Sequence, residues 1–207
     1  GLVITHEHAD HIQGAGPLAR RFDLPVFINN STLRRGRRIL GSIPRPVPVC
    51  TGQTVTLHDL FIETFTKCHD AADPMGLVLS CDGTRLGFIT DLGRSTAVVE
   101  DRLRGCRALI IEFNHDEKML EEGPYPPELK RRIRGPDGHL SNRQAAGLIK
   151  AVAHRGLELL VLAHLSEANN LPQEAFRAVK EMLRSCGNEH TEVLISSQHH
   201  PVPMVEL

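Results

Sequence analysis

One short run of potential metal ligands constrains this chain more than any other feature. The run HEHADH, at positions 6–11, directly follows an apolar segment that predicts a strand. Because side chains alternate with period two in extended backbone, His6 and His8 are expected on the same side. A turn after His8 would direct Asp10 and His11 toward a second point. The helical HExxH zinc motif is excluded, because the residue four positions after His6 is Asp10.

Four ligands cannot close two metal sites, so further ligands are expected where other strands end. Three residues, His69, Asp91 and His164, each come directly after a predicted strand. A single histidine in such a place is usually a surface or hydrogen-bonded residue, but the joint pattern is specific, and the chain has twelve histidines. Imidazole and carboxylate ligands together suit zinc, and also manganese or iron. We therefore expect a site for two divalent metal ions.

Short apolar segments and amphipathic segments alternate along the chain, which predicts mostly strands at first and then helix and strand in turn. The predicted strands are 2–5, 24–28, 55–57, 60–66, 77–81, 85–90, 107–112, 158–163 and 191–196. The predicted helices are 17–22, 33–40, 95–103, 141–154 and 172–186. The Pro-rich stretch 43–48 predicts only the end of a helix. This order predicts a layered α/β sandwich in a single domain spanning residues 1–207.

Composition excludes several classes of protein. The 24 basic and 25 acidic residues give a net charge of −1, so no global field attracts nucleic acid or anionic lipid. No apolar run approaches the ~20 residues of a membrane span, and no membrane partner is expected. Five cysteines without a CxxC pair fit a reducing compartment, which predicts a cytoplasmic protein. The chain begins with Gly1 rather than Met, with neither a signal peptide nor an ordinary start, so we expect residues upstream of it, and a signal peptide removed before residue 1 stays open as an alternative.

These motifs resemble those of the metallo-β-lactamase superfamily, and the resemblance covers essentially the whole chain. It implies a four-layer αβ/βα sandwich with a dinuclear metal centre at one edge, where activated hydroxide attacks the substrate. Superfamily members place two or more strands before the first ligand run, so we expect this chain to lack its N-terminal strands. By motif, the ligands of one ion would be His6, His8 and His69, those of the other Asp10, His11 and His164, and the bridging ligand Asp91.

Further motifs resemble the YycJ (WalJ) branch of the superfamily, and their order is also similar to that of tRNase Z. They are HDAADP at 69–74, EFNHD at 112–116, GPYP at 123–126, GHLSN at 138–142 and AHLS at 163–166. The resemblance implies a bacterial, cytoplasmic, nuclease-like hydrolase with 5′ to 3′ DNA exonuclease activity. It also implies that His139 protonates the leaving oxygen, that Glu112 orients His139, and that Asp10 helps to steer the attacking hydroxide.

The chemistry of phosphodiester cleavage makes His139 a candidate proton donor. The departing alkoxide needs a proton, and His139 precedes a predicted helix N-terminus, where backbone N–H groups favour a phosphate. Alternatively, His139 only packs beneath that helix. His115 follows the strand that carries Glu112, and it either contacts substrate or organises its loop. The remaining histidines expected on the surface are His58, His154 and His190.

Two other functions stay open from the sequence. A hydrolase of small esters, thioesters or lactones could use the same metals, with Tyr125, the only tyrosine, polarising a carbonyl group. A regulatory or binding protein could hold the metals structurally, although the complete ligand set argues against it.

Two basic runs bear on the partner, RRGRR at 34–38 and KRRIR at 130–134. Each is either a solvated helix face or part of a groove that tracks phosphates. Seven phenylalanines, one tyrosine and no tryptophan leave few platforms for base stacking. We therefore expect DNA or RNA to bind through phosphate contacts with little sequence preference. The sequence does not indicate an oligomeric state.

Overall fold

The computed structural model describes all 207 residues, and strands and helices alternate along most of the chain. The strands are β1 (Leu2–Ile4), β2 (Pro25–Ile28), β3 (Arg45–Pro48), β4 (Thr54–Leu57), β5 (Leu60–Thr66), β6 (Met75–Cys81), β7 (Thr84–Ile89), β8 (Ala108–Glu112), β9 (Leu159–Ala163) and β10 (Glu192–Ile195). The helices are α1 (Ala9–Ile12), α2 (Ala15–Phe22), α3 (Asn30–Leu40), α4 (Ala97–Leu103), α5 (Glu117–Glu122), α6 (Pro127–Arg134), α7 (Asn142–Val152) and α8 (Pro172–Ser185). None of these helices has the length and apolar character needed to cross a membrane.

The strands form two sheets. The larger has seven strands in the order β10-β9-β8-β7-β6-β5-β4, and the smaller has three in the order β1-β2-β3, all parallel. In the larger sheet, β4 to β7 are antiparallel neighbours. The turn between β6 and β7 contains Asp82 and Gly83, both with positive φ, as a tight two-residue hairpin requires. Strands β7 to β10 are parallel, and α4, α7 and α8 lie in the crossovers that parallel strands need.

Apolar packing joins the sheets and helices into four layers. The largest core has 21 buried residues and packs the larger sheet against α4, α7 and α8. A second core packs the smaller sheet against α1, α2 and α3. Phe27, Val49 and Met75 join the facing surfaces of the two sheets. The order of layers is therefore helix, sheet, sheet, helix, which confirms the predicted αβ/βα sandwich.

The ends of several strands meet at one edge of the sandwich. Strands β7, β8 and β9 are parallel neighbours, so Asp91, Glu112 and His164, which end or follow them, come together. Strand β5 runs in the same direction because two antiparallel pairings separate it from β7. The loop after β1 reaches this edge through a hydrogen bond from Met75 N to Thr5 O. Open α/β sheets place their ligand sites at this kind of edge.

Four elements were not predicted, namely α1, β3, α5 and α6. The prolines of β3 predict only a helix end, but β3 is an edge strand, where a missing proline N–H removes few ladder hydrogen bonds. The three helices bury at most one residue each, so none carries the apolar stripe by which hydrophobic periodicity identifies a helix. His58 and His190 are exposed as expected. His154 is half-buried, because its Nε2 contacts the Cys106 carbonyl at 3.1 Å.

Two glycines offer a matched test of this packing. A Cβ at Gly76 would stand 2.4 Å from Cζ of Phe65 in the large core, whereas a Cβ at Gly147 on α7 would meet nothing within 4 Å. We expect Gly76→Ala to lower the free energy of unfolding by about 1–3 kcal/mol through overpacking. We expect Gly147→Ala to raise it by about 0.5–1 kcal/mol through helix propensity. Urea unfolding measures both, and a neutral Gly76→Ala would contradict the packing.

Candidate metal centre

The HxHxDH run bends sharply after its second histidine. His8 has extended backbone and is the N-cap of α1, so Asp10 and His11 lie in the first turn of that helix. The ring centroid of His6 lies 4.7 Å from that of His8 and 4.2 Å from that of His11. The bend therefore gathers the three imidazoles around one space.

The structure brings the first predicted ligand set together. Nδ1 of His8 lies 3.1 Å from Nε2 of His69, and the ring centroids of His6 and His69 are 5.0 Å apart. The three residues each offer a ligand atom within 4.8 Å of the other two.

The second predicted set also converges. Asp10, His11 and His164 offer ligand atoms that all lie within 4.8 Å of one another. Oδ2 of Asp10 is 3.3 Å from Nε2 of His11 and 3.9 Å from Nε2 of His164. The two sets are thus neighbours at the same edge of the sandwich.

Asp91 faces both sets. Its Oδ1 lies 3.7 Å from Nε2 of His69 and 3.5 Å from Nε2 of His164, and its Oδ2 lies 3.3 Å from Nε2 of His11. Asp91 and His164 have φ values of 55° and 56°, in the left-handed region that residues other than glycine seldom adopt. Such strained backbone clusters at functional sites.

Several buried ligand atoms have no hydrogen-bond partner in the protein, among them Nε2 of His6, Nε2 of His11 and Oδ2 of Asp91. Unpartnered polar atoms are costly in a buried place. Other ring nitrogens are engaged: Nδ1 of His6 contacts Thr5 Oγ1, and Nδ1 of His69 donates to the Gly138 carbonyl, both at 3.1 Å. The lone pairs of these rings therefore point into the shared space. An imidazole and carboxylate set of this kind fits divalent cations.

Glu112, fully buried at the end of β8, connects the parts of the site. Its Oε2 accepts hydrogen bonds from Nδ1 of His139 at 2.9 Å, from Nδ1 of His164 at 2.8 Å and from the Asp91 backbone N–H at 2.8 Å. Its Oε1 accepts from the Leu140 N–H at 2.8 Å. The contact with His139 has the geometry of the expected orienting role, whereas the contacts with His164 and Asp91 were not predicted.

Burial sets the protonation of two histidines in the first set. Burial, together with the positive charge of Lys67, lowers the pKa of His6 to about 2. Burial also lowers the pKa of His69 to about 4. Both rings are therefore neutral at neutral pH, which is the form of imidazole that binds metal.

The acidic groups of the site favour positive charge. Burial opposes the ionisation of Glu112, but hydrogen bonds from His139 and His164 lower its pKa to about 2. Burial likewise opposes a charge on His164, but the carboxylates of Asp10 and Glu112 raise its pKa to about 10. Surroundings that hold a proton on His164 so strongly would also attract a divalent cation.

Two charged residues at the site, Lys67 and Asp70, were not predicted from the sequence. Lys67 is buried, and its Nζ donates to the Thr90 carbonyl. Burial lowers the pKa of Lys67 to about 8, against the opposing effect of the Asp91 and Glu112 carboxylates. Oδ1 of Asp70 lies 3.8 Å from Nε2 of His8. Only their position beside the His69 motif could have drawn attention to either residue.

The remaining candidates differ in their access to solvent. His139 and Tyr125 line a cleft of about 1040 Å³ that also includes Asp10 and His164. His115 is 1% exposed and belongs to neither ligand set. Its carbonyl accepts a hydrogen bond from Asn142 N, and its ring is enclosed by the protein and does not line the cleft.

Comparisons with known proteins agree with this fold and motif order. Residues 1–165 match the family described as "Beta-lactamase superfamily domain". The chain is 37% identical over 189 residues to "Exodeoxyribonuclease YycJ" of Bacillus anthracis, covering 90% of this chain and 72% of that protein. It is 34% identical over 191 residues to "Exodeoxyribonuclease WalJ" of Streptococcus pneumoniae, with coverages of 88% and 69%.

A solved structure gives the same answer about the fold. The metallo-β-lactamase-fold protein YhfI from Bacillus subtilis superposes with a TM-score of 0.69 at 16% identity, covering 94% of this chain and 73% of that one. The family match, the two relatives and this superposition lead to one conclusion: the chain belongs to the metallo-β-lactamase superfamily and, within it, to the group that contains YycJ and WalJ.

Proposed function

We propose that this chain is a dinuclear metal-dependent phosphodiesterase that degrades DNA from an end, in the 5′ to 3′ direction, with zinc as its metal. The convergence of seven ligand residues beside a cleft that also contains His139 carries the proposal. The names of the relatives, which are exodeoxyribonucleases, support DNA as the substrate. We further propose that residues 1–207 act as one domain. The five free cysteines support a reducing, cytoplasmic location.

Each ligand set is assigned to one metal ion. His6, His8 and His69 would hold one ion, Asp10, His11 and His164 would hold the other, and Asp91 would serve both. When bound, a pair of divalent ions acidifies a water molecule and neutralises charge on the reacting phosphate. Asp10 uses Oδ2 toward His11 and His164, which leaves Oδ1 to accept a hydrogen bond from the attacking water.

His139 supplies the proton that the leaving oxygen needs. Its Nδ1 donates to Glu112, so Nε2 is the nitrogen available to the cleft, where the side chain is 18% exposed. Glu112 also stabilises positive charge on His139 while the ring carries two protons. The ring centroid of His139 lies 5.3 Å from that of His164, which places the proton donor beside the metal centre.

The direct test of this function is cleavage of labelled DNA. We expect the zinc- or manganese-loaded protein to release the label as a mononucleotide early from 5′-labelled single strands and late from 3′-labelled strands. RNA and small esters are run in parallel. Hydrolysis of esters or lactones alone would instead support the alternative in which Tyr125 polarises a carbonyl group.

The bridging role of Asp91 is tested by metal content. We expect Asp91→Asn to weaken binding of at least one ion by about 100-fold or more, because the oxygens shared by both sets are lost or neutralised. Mass spectrometry of bound metal after dialysis measures this. Asp101→Asn, which changes an exposed carboxylate on α4, is the matched control. Full metal content in the Asp91 variant would contradict the assignment.

The role of His139 is tested by changing the leaving group. We expect His139→Ala to keep its metals and to lower kcat on DNA by about 10²- to 10⁴-fold. The p-nitrophenyl ester of thymidine monophosphate needs no proton on its leaving group, so its hydrolysis should fall much less. Steady-state kinetics on both substrates measure the difference. If His139 served packing alone, both substrates would lose activity equally.

A further inference from the structure

Positive charge is concentrated in one part of a chain that is nearly neutral overall. Residues 11–58 contain seven arginines, no lysine and one acidic residue, Asp23, whereas the whole chain has a net charge of −1. The structure places this stretch mainly in the smaller sheet and in α2 and α3, which cover that sheet. One outer layer of the sandwich is therefore cationic, and the rest of the chain is acidic. Such asymmetry indicates an anionic partner.

The arginines of α3 are mostly free of partners. The helix buries Thr32, Gly36 and Leu40, and its opposite face carries Arg34, Arg35, Arg37 and Arg38, all exposed. Nε of Arg35 lies 3.8 Å from a Glu7 carboxylate oxygen, but the other three guanidinium groups form no ion pair and no hydrogen bond within the protein. Like charges three and four positions apart destabilise a helix. A bound anion would relieve this repulsion.

The second basic run is different, although the two look alike in sequence. On α6, Arg132 pairs with Asp70 and Arg134 pairs with Glu121. Lys130 donates to the Glu121 carbonyl. Most of the charge on α6 is therefore satisfied within the protein. The basic run on α6 is thus largely neutralised within the protein, whereas the basic run on α3 is available to a ligand.

Helix α3 packs directly on the loop that carries the predicted metal ligands. A Cβ at Gly36 would stand 2.8 Å from Cδ1 of Ile12 and 3.5 Å from Cβ of Glu7. Ile12 ends α1, and Asp10, His11 and Gln13 from the same loop line the cleft. Helix α3 is therefore separated from the cleft wall by one short helix, α1, and its arginines lie on the face turned away from that contact. A strand that leaves the cleft over α1 would cross α3 to meet them.

We propose that Arg34, Arg37 and Arg38, here called the α3 arginine surface, bind the phosphate backbone of single-stranded DNA outside the cleft. This inference rests on the proposed function, because it assigns the surface to the substrate of the same site. Guanidinium groups form paired hydrogen bonds with phosphate. Contacts of this kind add affinity without reading sequence and make binding depend on salt.

The test compares two triple variants. R34Q/R37Q/R38Q removes the α3 arginine surface. K150Q/R155Q/R184Q removes the same charge from residues just before β9 and β10, at the edge opposite the metal centre. Arg184 in this control makes only an exposed pair with Glu189. The metal-loaded proteins are titrated with a fluorescent phosphorothioate oligodeoxythymidine long enough to reach from the cleft to α3, at several salt concentrations.

We expect the α3 variant to bind this strand about 10- to 100-fold more weakly and to lose about 2 from the slope of log affinity against log salt, as three phosphate contacts to a single strand predict. The control should match the parent. Hydrolysis of the p-nitrophenyl ester of thymidine monophosphate, which is too small to reach α3, should be unchanged in both variants.

Three results would overturn the proposal that the α3 arginine surface binds DNA. They are equal DNA binding by the parent and the α3 variant, equal losses of DNA binding in the two triple variants, or a matching loss of activity on the small ester in the α3 variant. Because Leu18, Phe22 and Ile39 are exposed on the same helices, phosphatidylserine vesicles form a further arm. Arginine-dependent vesicle binding without DNA binding also overturns the inference. If the parent cleaves no DNA but binds it through these arginines, the proposed function fails and the surface stands.

Discussion

Imidazole nitrogens and carboxylate oxygens face one another at the edge of this sandwich, and several of them have no hydrogen-bond partner within the protein. Nδ1 of His8 and Nε2 of His69 approach to 3.1 Å, and buried atoms of His6, His11 and Asp91 have no partner. Left alone, such a cluster destabilises the fold. Cations bound there would add the free energy of their binding to the stability of the native state. The site therefore links stability to metal binding.

Contacts with the surrounding protein fix the orientation of this cluster. Glu112 holds His139, His164 and the Asp91 backbone at once, and Lys67 sits buried beside the same carboxylates. These contacts determine which ring nitrogen points inward, and a metal site requires that choice to be made. One buried carboxylate thus couples the predicted proton donor to His164 of the second set and to Asp91, which faces both sets, so changes at Glu112 should affect binding and chemistry together.

The convergence of the seven candidate ligand residues could be predicted from sequence because their order follows simple geometry. The HxHxDH spacing and the position of His69, Asp91 and His164 after strands are local signals, and a sheet edge collects strand ends. Tertiary contacts decide the rest. Nothing near Lys67 in sequence shows that it is buried. His115 needed the structure to show that it is enclosed.

The two arginine-rich runs show that sequence alone does not reveal which charges are paired. They have similar sequences, but the partners of α6, Asp70 and Glu121, come from elsewhere in the chain or fold back from the preceding helix. Helix α3 finds almost none. The net charge of −1 conceals this division, because composition averages over layers that the fold separates. Pairing, and with it the availability of a charge, is a property of the folded chain.

A crystal structure of the zinc-loaded protein, with anomalous scattering measured at the zinc edge, tests the central claim most directly. We expect two peaks about 3.5–4 Å apart, one among His6, His8 and His69 and the other among Asp10, His11 and His164, with Asp91 beside both. The absence of zinc from this edge in a fully loaded crystal, or zinc bound only at other histidines, would contradict it.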